Sequence, residues 1–141
     1  MSRSHQRHLV LPFAVMATAL LIGCSGPQAS KPVDDSAFVG QWFQHAGALM
    51  ISANGSVDMQ YQVMEDGSSA TFPHLTLHIT SVDSSGTAAT ATVDSSDDPQ
   101  AGTGSMFKFA KRSPGLVVTD PQGGIQEWCD LQHKNLGSCG A

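Results

Sequence analysis

Apolar and polar residues alternate along short runs of this chain, and this alternation constrains its fold more than any other feature of the sequence. Within residues 57–63 every second residue is large and apolar: Val57, Met59, Tyr61 and Val63. Successive side chains of a β-strand point to opposite faces, so a period of two predicts a strand with one buried face. The same period recurs at Leu75, Leu77 and Ile79 and predicts a second strand of this kind.

Alternation along the rest of the chain predicts seven or eight strands. They lie at Val39–His45, Ala48–Ser52, Val57–Val63, His74–Thr80, Ala89–Val93, Ser105–Ala110, Leu116–Thr119 and Ile125–Leu131. No window has the apolar spacing of an amphipathic helix. Sequential strands joined by short turns favour an all-β fold, either a small antiparallel up-and-down β-barrel or a β-sandwich. We favour the barrel, because closure removes the exposed strand edges that promote aggregation.

Turn-forming residues separate the predicted strands. Asn54-Gly55 is a strong hairpin signal, because both residues tolerate the positive φ angles of a type I′ turn. Glu65–Ser69, centred on Asp66-Gly67, predicts the next turn, and Asp94–Gly104 predicts the longest loop. These short connections agree with strands that pair in sequence order.

The first 23 residues have the layout of an export signal. Arg3 and Arg7 give a positive N-terminal segment, and Leu9–Ile22 is an almost unbroken apolar run. This run is short compared with a bilayer span of about 20 residues and fits the apolar core of a signal peptide. We therefore predict that residues 1–23 are a cleaved signal peptide.

Leu21-Ile22-Gly23-Cys24 ends the apolar run and resembles the lipobox of bacterial lipoprotein signals. The resemblance implies cleavage before Cys24 and attachment of fatty-acyl chains, such as palmitate, through its thiol. Each buried methylene contributes about 0.8 kcal/mol, so two or more chains would anchor the protein firmly on the membrane. Residues 24–36, rich in Pro, Ser and Gly, predict a flexible tether, and residues 37–141 form one domain. An ordinary cleaved signal and a retained transmembrane anchor are the alternatives.

Two cysteines remain after Cys24, and export would place them in a compartment where disulfides form and persist. Cys129 and Cys139 lie ten positions apart with Gly137 and Gly140 close by, so the chain can turn back and let them meet. We predict a disulfide between them that fastens the C-terminal segment to the last strand. Two free thiols are the alternative, and a zinc site would have only His133 as a nearby third ligand.

Acidic residues outnumber basic residues in the part of the chain that follows the signal. Once Arg3 and Arg7 are set aside, five of the seven Lys and Arg residues remain against all 12 Asp and Glu residues, which gives a net charge near −7. A surface of this charge repels the phosphate backbone of nucleic acids. We therefore expect no nucleic acid among the partners.

Gly40-Gln41-Trp42, at the start of the first strand, resembles the opening motif of lipocalin-type barrels. In such barrels the indole closes one end and the glycine allows a close approach. More of the sequence is similar to small secreted lipoproteins of actinobacteria, at these positions: Gly40, Trp42, His45, Leu49, Ile51, Asn54-Gly55, Tyr61 and the C-terminal Cys139-Gly140-Ala141. Those lipoproteins have no established activity. The resemblance implies a barrel outside the membrane and makes Trp42, His45 and Tyr61 the candidate ligand-binding residues.

Chemically reactive side chains of the domain do not form a recognisable catalytic or metal-binding set. His74 and His78 share one strand face, but four residues of strand separate their Cα atoms by about 13 Å, too far to bind one ion unaided. His45 from another strand would have to complete such a site. The sequence also has no Gly-x-Ser-x-Gly nucleophile motif.

Three further groups of residues have ordinary structural interpretations. Asp94, Asp97 and Asp98 lack the spacing of calcium ligands in a helix-loop-helix site and predict a solvated acidic loop. Lys108, Lys111 and Arg112 form a basic cluster that could contact an anionic membrane or wall polymer, but we favour ordinary surface charge as its interpretation. Trp42 and Trp128 are expected in the core rather than as stacking surfaces for a ligand.

Together these patterns favour a non-enzymatic lipoprotein of the cell envelope, lipid-anchored on the extracytoplasmic face of the cell membrane. Its domain would bind an envelope protein or a cell-wall component through its outer surface and loops. The alternative is a lipocalin-like carrier of a small apolar ligand, which Gly40 and Trp42 suggest. Neither function requires a cofactor or a metal ion, and we expect none.

Overall fold

The computed structural model describes residues 32–65, 67–135, 137 and 139. The predicted signal peptide 1–23, the predicted lipidation site Cys24 and residues 25–31 of the predicted tether lie outside the described residues, as does Asp66 of the predicted turn. The described chain contains β-strands and no α-helix. The strands are β1 Gly40–Gln44, β2 Gly47–Ile51, β3 Ser56–Gln60, β4 Val63–Glu65, β5 Ser69–Thr71, β6 His74–Val82, β7 Ala88–Ser96, β8 Met106–Arg112, β9 Gly115–Thr119 and β10 Ile125–Asp130.

Eight of these strands close into an antiparallel barrel. Their order around the barrel is β1-β10-β9-β8-β7-β6-β3-β2, and β2 pairs with β1 to complete the circle. Once the β4–β5 hairpin between β3 and β6 is set aside, strands that follow one another in the chain are neighbours in the barrel, and the first strand, β1, pairs with the last, β10. This arrangement confirms the predicted up-and-down barrel.

The β4–β5 hairpin is the main difference from the predicted strands. The alternation of Val57, Met59, Tyr61 and Val63 predicts one strand to Val63, whereas β3 ends at Gln60 and Val63 begins β4. Val63 pairs with Thr71 of β5, so the chain turns back on itself before it returns to the barrel as β6. The predicted loop at Asp94–Gly104 also starts later, because β7 continues to Ser96.

Inward-facing side chains fill the barrel. Sixteen of them, each at most 7% exposed, belong to one cluster: Trp42, Leu49, Ile51, Val57, Met59, Leu75, Leu77, Ile79, Ala89, Ala91, Val93, Phe107, Phe109, Leu116, Val118 and Trp128. Small and large residues face each other across β7 and β8, where Ala89 pairs with Phe109 and Ala91 with Phe107. Full burial of each large apolar side chain stabilises the fold by about 1.5–3 kcal/mol. The outward residues of these strands are mostly polar, as the alternation predicts.

Connections between strands alternate between the two ends of the barrel. We call one end the base, and it includes residues 32–39, 52–55, 83–87, 113–114 and 131–135. The opposite end, which we call the hairpin end, includes residues 45–46, 61–65, 67–73, 97–105 and 120–124. The described chain therefore enters β1 and leaves β10 at the base.

Side chains from the segment before β1 close the base. Phe38 is fully buried, and its carbonyl oxygen accepts a hydrogen bond of 3.0 Å from Nε1 of Trp42. The ammonium of Lys111 lies 4.2 Å from the centroid of the Trp42 ring, in a cation–π contact. Asp35, part of the predicted tether, is only 8% exposed, so packing against the barrel already begins within that segment.

Both tryptophans are core residues, as predicted, with exposed fractions of 4% for Trp42 and 0% for Trp128. The two remaining cysteines also behave as expected from their spacing. Cys129 of β10 and Cys139 lie at disulfide distance, with Cα atoms 5.7 Å apart and both side chains buried. The pair joins the segment after β10 to the barrel wall at the base.

Gly115 provides a test of this packing, because it opens β9 where the backbone of β10 approaches closely. A Cβ atom at Gly115 would collide with the carbonyl oxygen of Trp128, which belongs to the backbone and cannot rotate away. We expect Gly115→Ala to lower the free energy of unfolding by about 1–3 kcal/mol, measured by urea denaturation. Gly102→Ala is the matched control, since no atom lies within 4 Å of the position that its methyl carbon would occupy. Equal stability of the two variants would contradict this packing.

Candidate functional site

The loop between β7 and β8 covers the hairpin end of the barrel. Tyr61, which directly follows β3, and Asp98, in this loop, are only 5% and 8% exposed. The hydroxyl of Tyr61 donates a hydrogen bond to Oδ2 of Asp98. Ala101 of the same loop is 1% exposed and packs into the core cluster. Tyr61, Asp98 and Ala101 thus close this end as Phe38 closes the base.

Further hydrogen bonds hold the loop in place. Oδ1 of Asp98 accepts a bond of 2.8 Å from the backbone N–H of Gln100. Oδ1 of Asp97 accepts a hydrogen bond from the backbone N–H of His74, at the start of β6. The side-chain amide of Gln122, in the β9–β10 turn, donates to the carbonyl oxygen of Gln100. The loop is therefore fastened to three other elements and presents a fixed surface.

The environment of Tyr61 suppresses its ionisation. Burial raises the pKa of the Tyr61 phenol far above its ordinary value, and the hydrogen bond to Asp98 and the negative charges of Asp98 and Asp120 raise it further. The hydroxyl therefore remains a neutral donor to the Asp98 carboxylate across the physiological pH range. The pair has a structural role, because the buried carboxyl group of Asp98 accepts hydrogen bonds from neutral donors, the Tyr61 hydroxyl and the Gln100 N–H.

A groove of about 640 Å³ lies beside the Tyr61–Asp98 pair, with Asp98 in its lining. Its walls come from the β4–β5 hairpin, from the residues before β6 and from the β7–β8 loop: Val63, Met64, Thr71, Phe72, Pro73, Asp97, Asp98, Pro99 and Gln100. We call this the hairpin-end groove. Met64 and Phe72 remain 54% and 48% exposed, so the groove offers apolar side chains next to an acidic floor. The groove thus presents exposed apolar side chains together with polar and acidic ones.

The three candidate ligand-binding residues do not meet in one place. Trp42 is in the core, with its indole directed to the carbonyl of Phe38 at the base. Tyr61 is buried at the hairpin end, where its hydroxyl contacts Asp98. His45 is exposed in the turn between β1 and β2. None of the three lines the hairpin-end groove.

Histidines on the outside of the barrel pair with aspartates on neighbouring strands. Nε2 of His74 lies 3.0 Å from Asp58 of β3, and Nδ1 of His78 lies 2.6 Å from Asp94 of β7. The two histidines of β6 therefore turn toward different neighbours. Across the described residues, no group of three or more His, Cys, Asp or Glu side chains is placed to hold a metal ion.

The third histidine pair lies at the base. Nδ1 of His133 is 2.7 Å from Oδ1 of Asp130, and this hydrogen bond holds the pKa of the Asp130 carboxyl below its usual range. Asp130 also acts on Lys111, whose pKa is lowered by burial beside Trp42 and partly restored by the negative charge. Lys111 is thus an exposed side chain that contacts Trp42 at the base of the barrel.

The acidic residues predicted as one solvated loop have separate partners. Asp94 lies in β7 and pairs with His78, Asp97 accepts a hydrogen bond from the backbone N–H of His74, and Asp98 is buried against Tyr61.

The groove itself was not predicted from the sequence. Its signal in the chain is weak: Val63-Met64 and Phe72-Pro73 place apolar residues on both sides of a turn where polar residues are usual.

Comparison of the chain with models of known protein families, with curated proteins and with solved structures found no match. In the part of the chain that the structure describes, no helix has the length and apolar character needed to cross a membrane.

Tyr61 is the only tyrosine of the chain, so its ionisation can be followed directly by absorbance. We expect the folded protein to show no phenolate signal at the ordinary tyrosine pKa of about 10, whereas the urea-unfolded protein titrates there. Because the folded pKa is raised, the contribution of Tyr61 to stability is complete below about pH 10 and declines as the pH rises above it. Phenolate formation near pH 10 without unfolding would contradict the buried Tyr61–Asp98 pair.

Proposed function

We propose that the chain is the precursor of a cell-envelope lipoprotein, anchored through lipid on Cys24, whose β-barrel is a non-catalytic binding module on the extracytoplasmic face of the membrane. The partner would be an envelope protein or a cell-wall component. The observation that carries the binding role is the hairpin-end groove, an open apolar and acidic surface on an otherwise filled barrel.

The anchoring part of the proposal is supported by the order of three segments. Arg3 and Arg7 precede the apolar run Leu9–Ile22, and Leu21-Ile22-Gly23-Cys24 follows the pattern of a lipobox. A positive segment favours the cytoplasmic side, an apolar core of this length suits a signal peptide, and a thiol is required to receive a diacylglyceryl group. The described barrel begins only after this region, with residues 32–39 at its base.

The cysteine pair supports an oxidising compartment. Cys129 and Cys139 lie at disulfide distance and are both buried, which suits a stable disulfide. Disulfides persist outside the cytosol and are rare within it. A bond that closes a loop of this size would stabilise the domain by about 2–3 kcal/mol.

The filled interior directs binding to the outside. A lipocalin-like carrier, the alternative suggested by Gly40 and Trp42, would hold a small apolar ligand inside its barrel. Here the inward side chains are at most 7% exposed, and Phe38 and Ala101 close the two ends. Room for a ligand would require removal of core side chains, at about 2–5 kcal/mol for each large residue. A surface binding role therefore agrees better with the packing than an internal carrier.

The chemistry of the outer face supports a non-catalytic role. His74, His78 and His133 each pair with an aspartate and are 40–50% exposed at their side chains. A nucleophilic triad needs a hydroxyl or thiol held against the histidine, and the hydrogen bonds described for these three histidines include none. They are hydrogen-bonded His–Asp pairs, partly exposed to solvent on the outside of the domain.

Detergent partition and mass spectrometry test the anchoring. In a bacterial host with lipoprotein-processing enzymes, the wild-type chain is expected in the detergent phase, and its N-terminal peptide should begin at residue 24 and carry acyl chains. Cys24→Ser should stay in the aqueous phase or keep its signal peptide. Cys139→Ser is the matched control, because it removes a cysteine that carries no lipid and should still partition into detergent.

Two results would contradict the anchored lipoprotein. One is an unmodified thiol at Cys24 in material purified from membranes. The other is a mature N-terminus that still contains Arg3 and Arg7, which would show that the signal peptide is not removed.

A further inference from the structure

The β4–β5 hairpin is the part of the described chain whose strands are not closed into the barrel. Each barrel strand pairs on both sides, whereas β4 pairs only with β5 and β5 only with β4. A strand edge without a partner presents N–H and C=O groups to which another extended chain can add. Addition of a strand at such an edge is a recurrent way of binding a peptide segment.

Apolar side chains of the hairpin and of the residue that follows it are exposed. Met64 of β4 and Phe72, directly after β5, are 54% and 48% exposed. Val63, Pro73 and Pro99 line the same groove, whose volume of about 640 Å³ suits a few side chains. Burial of these surfaces under a partner would provide a hydrophobic contribution to binding in addition to main-chain hydrogen bonds.

Charge selects the partner. Asp97 and Asp98 line the groove, and Asp120 is close enough to influence Tyr61 beneath it. The described Lys and Arg side chains lie on β8 or at the base, and none lines the groove: Lys108, Lys111, Arg112 and Lys134. A groove lined by two carboxyl groups and by none of the described Lys or Arg side chains attracts a basic segment and repels an acidic one.

We infer that the hairpin-end groove binds an extended segment of a partner protein in which basic and apolar residues alternate. The segment adds as a strand to an edge of the β4–β5 hairpin. Its apolar side chains pack on Met64 and Phe72, and its basic side chains face Asp97. The inference rests on the proposed function, because it states the partner chemistry of the binding module. A second copy of this acidic chain fits less well, since like charges repel.

Synthetic peptides test the inference on the full chain purified in detergent micelles. The probe is a fluorescently labelled peptide of about six residues, the usual length of a strand, that alternates lysine with valine. One matched peptide replaces every lysine by glutamate. A second carries a methyl group on every other backbone nitrogen, which removes the N–H groups that pair with a strand edge. Binding is measured by fluorescence anisotropy at increasing salt concentration.

Two variants remove the apolar contacts, and a third variant serves as the control. Met64→Ser and Phe72→Ser change exposed residues of the groove, and Met50→Ser changes a residue of β2 that is 47% exposed elsewhere on the barrel. We expect each groove variant to weaken binding of the lysine–valine peptide by at least about tenfold, as expected for the loss of an interface anchor. Met50→Ser should change the affinity by less than about twofold. Binding should weaken with salt, and neither matched peptide should bind.

Several results would overturn the inference. They are no binding of the lysine–valine peptide, equal binding of the glutamate or methylated peptide, and an equal loss of affinity in Met50→Ser. Self-association of the wild-type chain that Phe72→Ser abolishes would identify a second copy as the occupant and would overturn it as well. Lipid on Cys24 is assayed in the same sample. If the protein is lipidated but does not bind the peptide, only the groove inference is refuted. If Cys24 is unmodified, the anchoring proposal is refuted, whatever the result with the peptides.

Discussion

Closure of the sheet over a filled interior is the constraint on which the other features of this protein depend. Ala89 and Ala91 leave room for Phe109 and Phe107 across β7 and β8, so the barrel is narrow enough to be packed by its own side chains. Each of the eight strands pairs with a neighbour on both sides, so the sheet closes on itself. A partner of the proposed binding module would therefore contact the outer surface or the connections at the two ends.

The two ends of the barrel are closed by different chemistry. At the base, Phe38 and Trp42 form an apolar plug under the ammonium group of Lys111, and Asp35 of the same segment is also buried. At the hairpin end the plug contains a buried carboxylate, since Asp98 is held between the Tyr61 hydroxyl and the Gln100 amide. The base carries charges of both signs, Lys134 with Asp34, Asp35 and Asp83, whereas the described residues of the hairpin end include acidic side chains and no Lys or Arg.

Local features of the sequence predict the barrel well because strand alternation and turn residues are local properties. The predicted barrel strands all occur, and the predicted core tryptophans are buried. The β4–β5 hairpin escaped prediction because Val63 continues the alternation of β3 in phase, although the chain has already left that strand at Tyr61. The Tyr61–Asp98 contact joins residues 37 positions apart and depends on how the β7–β8 loop folds over the barrel, which no local pattern reports. The groove could not be predicted for the same reason, since three separate segments of the chain form its walls.

The burial of both indoles has an optical consequence. Trp42 and Trp128 are the only tryptophans of the chain, and neither contacts solvent appreciably. Their emission in the native protein should lie at short wavelength and resist collisional quenchers, and it should move to longer wavelength once the sheet opens. The intrinsic fluorescence of the intact chain thus reports barrel integrity without any label, including in a micelle or a vesicle.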